Sequence, residues 1–162
     1  MSYVDDLIEF CLMHRDDIAT AVEEKRQDPG GGGHTGGSGS GHSYVSDPTA
    51  IQGIKAALSV PCVYVAYGAT VCGKRDAVLI RQPERWLKVV DKVAAYCLKS
   101  SDTKEFYHHR YILREDHVKT CHDLNLSRGA YYAKKANVIR LAENLAIGFG
   151  CLSPYCRMGK II

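Results

Sequence analysis

The 162-residue chain has no CxxC pair and no apolar run of membrane-spanning length. It starts with acids rather than with a basic segment leading into an apolar one. A secretory leader, a membrane anchor and a disulfide framework are therefore not expected. The seven cysteines (11, 62, 72, 97, 121, 151 and 156) are odd in number and scattered, and most sit within apolar patterns. They read as small buried residues in a reducing cytoplasm. Catalytic signatures are equally scarce. There is no nucleophile elbow of the GxSxG kind and no singled-out acid pair, and the glycine run has neither a GK[ST] end nor a strand before it to make a phosphate loop. His108 and His109 are neighbours on a helical stretch, so their rings point about 100° apart and do not converge on one atom. His117 and Cys121 lie one helical turn apart, but no second pair at zinc spacing accompanies them. The expectation is a protein without catalytic residues, metal or cofactor, and so not an enzyme.

What is present is an ordinary soluble composition, 46% hydrophobic and 24% charged, with charge unevenly placed. Residues 1–28 hold eight acids against three bases, while the remainder holds 18 bases against 10 acids. A basic body attracts polyanions by counterion release, and the acidic segment could face a protein partner or shield that body. The plainer alternative is that the two parts simply attract each other.

Residues 3–26 read as one helix, with Tyr3, Leu7, Phe10, Cys11, His14, Ile18 and Val22 at steps of three and four. Asp28-Pro29 breaks it. Gly30 to Gly41 is low-complexity and mostly glycine, a flexible linker whose His34, like the nearby His42, reads as solvated. It could be natural or engineered; Asp47-Pro48-Thr49 restarts structure cleanly and favours a natural one. Ser46 or Asp47 caps a short helix carrying Ile51, Ile54, Ala57 and Leu58. Residues 62–67 are β-prone, residues 68–74 carry turn residues, and residues 77–81 supply a returning strand, with a helical reading of 77–81 left open. Pro83 starts a helix with Trp86, Leu87, Val90, Val93, Ala94, Cys97 and Leu98 on its apolar side. Ser100-Ser101-Asp102 closes it and caps the next helix, Thr103 to Leu113, which carries Phe106, Tyr107, Arg110 and Tyr111.

The stretch from Glu115 to Ile147 predicts helix, tight turn, helix. Val118, Cys121 and Leu124 form the inner stripe of the first helix, with the small Cys121 where the two helices must approach closely. Asn125 suits a left-handed cap, Leu126 plugs the turn, and Ser127 is a good N-cap for the second helix. Tyr131, Val138, Leu141, Ala142 and Leu145 give that helix its inner face. Arg128, Tyr132 and Lys135 are assigned to its outer face, with Lys134 beside them. Such a helix offers cations near the end that enters a major groove. The expected DNA-binding set is Arg128, Tyr132 and Lys135 near base edges or phosphates, Lys119 and Lys134 on the backbone, and Ser127 at the start of the second helix. Stacking of Tyr107, Tyr111, Tyr131 or Tyr132 on single strands is conceivable, but packing accounts better for Tyr107 and Tyr131. The bland competitor is a helical hairpin with a merely solvated basic face.

The ending LNLS-RGAYYAKKANVIRLAENLA resembles the region-4-like helix-turn-helix of sigma factors. With SDPTA and PERWLKVV upstream, roughly residues 46–147 resemble small phage transcription regulators of the RinA and ArpU type. The resemblance implies activation of late phage genes in a bacterial host cytoplasm, through double-stranded DNA and contact with RNA polymerase, with a homo-oligomer left open. The cysteine-containing tail and long glycine tract depart from that pattern. The expected organisation is a mostly α protein with a small β-hairpin: an acidic N-terminal helix (1–28), a glycine-rich linker (29–46), a helix, hairpin and helix (47–100), a C-terminal helix-turn-helix region (101–150) and a tail (151–162). Two other readings are a small terminase subunit for DNA packaging and a protein-binding adaptor that docks through its acidic helix.

Overall fold

In the computed structural model of the chain the described residues are 3–27, 59–71 and 74–155. The glycine tract, the expected helix after Ser46 and the end of the tail lie outside them. Among the described residues the architecture is mostly α with one antiparallel hairpin, as the sequence predicts. Its organising strut is α3 (Pro83–Lys99). Pro83 takes the first turn, where a missing N–H costs nothing, and Trp86, Val89, Val90, Val93 and Cys97 recur at helical spacing and are buried. Each such side chain removed from water stabilises by roughly 1.5–3 kcal/mol.

The N-terminal stretch corrects one expectation. Residues 3–26 form two helices rather than one, α1 (Tyr3–Met13) and α2 (Arg15–Gln27), separated at His14. The sequence holds a reason: Asp16 and Asp17 place two carboxylates at the positive end of a new helix, and Asp17 also meets the His14 ring at 2.8 Å. The buried face is Val4, Ile8, Cys11 and Leu12, then Ile18 and Val22, while Tyr3 is exposed. Both helices pack into the common core, α2 along α3 and the hairpin, α1 against the last helix.

The hairpin pairs β1 (Cys62–Val71) with β2 (Lys74–Arg81), from Cys62 opposite Arg81 to Val71 opposite Lys74, with an irregularity between Tyr67 and Val71. The strands run further than the sequence suggests, taking in residues 68–71 and 74, which the turn-forming composition places in the loop. Alternation does the sorting: Val63, Val65 and Ile80 face the core, and Tyr64, Ala66, Ala77 and Leu79 face outward. Glu84 ties the layers together, accepting from Arg26 at 2.8 Å and from the Val60 N–H at 3.2 Å.

After Ser100, α4 (Ser101–Tyr107) runs directly into a π-helical turn (His108–Ile112). The Ser100 side chain makes no capping bond; instead the Thr103 hydroxyl donates to the Cys97 carbonyl at 3.1 Å. Phe106, Tyr107 and Tyr111 are buried, and Phe106 meets Tyr131 edge-on at 5.3 Å. Arg114, at φ 56, then turns the chain toward α5 (His117–Asp123) and α6 (Arg128–Gly148). No helix among the described residues is long and apolar enough to cross a membrane.

Candidate nucleic-acid interface

The expected helix–turn–helix is present as α5 and α6, and its local chemistry follows from the sequence. Asp116 caps α5, its carboxylate accepting the Lys119 N–H at 2.8 Å. At the other end Asn125 adopts φ 49, the Leu126 N–H donates to the Cys121 carbonyl at 2.8 Å, and the Asn125 N–H to the His122 carbonyl at 3.2 Å. Those two bonds are a Schellman closure, and Asn accepts the left-handed position with less strain than most side chains. Leu126 packs partly buried against the core. The Ser127 hydroxyl then accepts the Ala130 N–H at 3.2 Å and starts α6.

The inner stripe of α5 is displaced from the one expected. Val118 is 63% exposed, Cys121 and Leu124 are partly buried, and the fully buried residue is Thr120. Thr120 meets its own polarity locally, its hydroxyl donating to the Asp116 carbonyl at 2.8 Å. Thr120 is thus the fully buried side chain of α5, while Cys121 packs only partly buried against the core. On α6, Tyr131, Val138 and Ala142 are buried as expected, joined by Ile139 and Ala146.

The outer face of α6 is corrected at its most important position. Lys135 is 9% exposed and faces inward, its ammonium 2.7 Å from Glu9 on α1. Arg110 of the π turn reaches the other oxygen of the same carboxylate at 2.6 Å and donates to the Glu115 carbonyl at 2.7 Å. The reason is tertiary: α1 lies against α6, and its Glu9 draws in two cations at once. Lys134 is also engaged, bonding the Asp102 carboxylate and carbonyl, both at 2.7 Å. Lys119 remains largely exposed but pairs with Glu115 at 2.9 Å.

Arg128 and Tyr132 do face solvent. The Arg128 guanidinium lies 5.8 Å from the centre of the Tyr132 ring, an arrangement that holds both side chains outward. Below them the exposed surface of α6 continues through Ala133, Ala136, Asn137 and Arg140. The i, i+4 rows Arg128–Tyr132–Ala136–Arg140 and Gly129–Ala133–Asn137 make one strip about 18 Å long at 1.5 Å per residue. Among the described residues Arg140 makes no ion pair. Asn137 and Arg140 are not among the residues the sequence reading singles out. Their signal lies in the same four-residue spacing that starts at Arg128, but placing Lys135 on the outer face ends the strip too early.

Three carboxylates around α5 are held below their ordinary range. Asp116 is lowered by the Lys119 N–H, Glu115 by the Lys119 ammonium and then the His109 ring, and Asp123 by His122. Lys119 is raised by the same bond to Glu115. The surface at the first helix is thus mixed in sign, whereas the exposed Arg128 and Arg140 of α6 make no ion pair among the described residues. Comparison of the chain with known protein families, curated proteins and solved structures gave no match.

Proposed function

We propose that this chain is a double-stranded DNA-binding protein that uses α6 as its recognition helix, in the manner of a transcription regulator. The observation that carries the reading is the exposed strip Arg128–Tyr132–Ala136–Arg140 with Asn137 beside it, on a helix whose capped N-terminus follows a tight turn. Arg and Asn are the side chains whose paired donors and acceptors match guanine and adenine edges in a major groove. Alanines between them let the helix backbone approach the base pairs, and Ser127 and the free N–H groups of the first turn suit a phosphate. In this reading Arg128, Tyr132, Asn137 and Arg140 meet base edges or nearby phosphates, and Ser127 and Lys119 meet the backbone. Lys134 and Lys135 serve the fold. Contact with RNA polymerase and activation of phage late genes belong to the same reading and rest on the sequence resemblance alone.

The test is a fluorescence-anisotropy titration of duplex DNA selected by the protein from a random pool. Arg140→Ala should weaken binding by about 1–3 kcal/mol if it pairs with a base and should relax the selected sequence. Removing a side chain that neutralises one phosphate should flatten the dependence of log K on log salt by about 0.9. Undiminished affinity and an unchanged salt slope in the Arg128→Ala, Arg140→Ala double variant would overturn the proposal, because both side chains are exposed and their loss leaves the core intact.

A further inference from the structure

We propose that His109, Glu115 and Asp123 form a binding site for one divalent transition-metal ion of the zinc class. Their ligand atoms, one imidazole nitrogen and two carboxylate oxygens, all lie within 4.8 Å of one another. The three come from separate pieces of backbone: the π turn, the loop after it and the last turn of α5. The π turn aims His109 toward the loop, and the reversal at Arg114 brings Glu115 back so that its N–H donates to the His109 carbonyl at 3.1 Å. Arg110 pins the Glu115 carbonyl from the other side. The His109 Nδ1 already stands 2.7 Å from a Glu115 oxygen. Ligands about 2.1 Å from a tetrahedral ion stand about 3.4 Å apart, close to the spacing these three atoms already have.

The donor chemistry selects the ion. An imidazole beside two carboxylates suits zinc, cobalt or manganese, whereas magnesium and calcium prefer oxygen throughout. Three protein ligands leave an open position for water, and the exposed Asp123 gives the ion a way in. The His122 Nδ1 lies 2.9 Å from Asp123 and would orient that carboxylate from outside. Lys119 is the competitor. Its ammonium sits 2.9 Å from Glu115, is 62% exposed, and must swing away when a doubly charged ion takes the carboxylate.

The test uses the full chain, stripped with chelator and titrated at neutral pH with Co²⁺ and then Zn²⁺. The expected result is one equivalent of Co²⁺ with the visible d–d bands of a four-coordinate ion and no near-ultraviolet thiolate charge-transfer band, displaced by Zn²⁺. His109→Ala and Asp123→Asn should each weaken binding by at least about tenfold, and Lys119→Met, which removes the competitor, should tighten it. Asp123→Asn is a surface change, and an unaltered far-ultraviolet circular dichroism spectrum certifies its fold. No stoichiometric binding, a thiolate band, or affinity untouched in Asp123→Asn would overturn the proposal. The readout involves no DNA, so it stands or falls apart from the recognition-helix reading.

Discussion

Glu9 is one carboxylate between two cations, Arg110 and Lys135, and all three side chains are mostly buried. The two cations are not equivalent to their shared partner when removed. Glu9→Ala takes the shared carboxylate away from two mostly buried cations and should cost about 3–5 kcal/mol of stability, the usual penalty for breaking a buried ion pair by removing one partner. Lys135→Met leaves the Glu9–Arg110 pair standing and fills the same space with an apolar chain, so its cost should be clearly smaller. Urea denaturation of the two variants checks the order; equal losses would mean that Glu9 does not hold the pair. Burial also quiets the thiols. It is the main cause that raises the Cys11 thiol, raises Cys97 and pushes Cys151 up to about 11.

Among the elements, α5 and α6 show how unevenly sequence speaks. Their caps are readable because capping is local: Asn125 and Ser127 act within a few residues of themselves. Which face turns inward is not. The exposure of Val118 and the burial of Lys135 depend on elements packed alongside, and α1, which captures Lys135, lies more than 100 residues away in the chain. The π turn likewise leaves no trace in the pattern, and with it the approach of His109 to Glu115 and Asp123 stays hidden. Two outcomes are expected at this scale. Gly129→Ala sits in open space, its new Cβ 4.0 Å from the Ser127 Oγ, and should raise stability by about 0.5–1 kcal/mol. If α6 lies close to DNA, the same methyl should weaken duplex binding, and the two effects of opposite sign can be read from one thermal melt and one titration. The second concerns acid. Asp116, Glu115 and Asp123 have folded pKa values below their ordinary ones, so their contribution is complete above about pH 4–5 and is lost as pH falls through the lowered values. Circular dichroism between neutral and low pH should show helix loss there, and Asp116→Asn should shift the midpoint upward.

At the scale of the whole molecule, the described elements share one core. Ile8, Cys11, Leu12, Ile18 and Val22 belong to it together with Trp86, Phe106, Tyr131 and Ala142. The acidic segment, which reads from sequence as a separate unit, therefore has its apolar side filled by its own chain. Removing residues 1–28 should unfold the helix-turn-helix rather than merely lower negative charge. Trp86 fluorescence and helix content should lose their native signals together in urea on the intact chain, and the truncated chain should show no cooperative transition. A truncated form that melts sharply would show two independent parts.

The Glu9 link to Lys135 also fixes an order of events during synthesis. The ribosome makes α1 more than 100 residues before α6, so the carboxylate emerges long before its second cation exists. Until translation passes residue 135, the apolar side of α1 can meet α2, α3 and the π turn but not α6, so its native packing there must wait for the second helix of the helix-turn-helix. Nascent chains stalled short of that point would expose sticky surface, and holding them soluble would fall to whatever meets them at the exit tunnel.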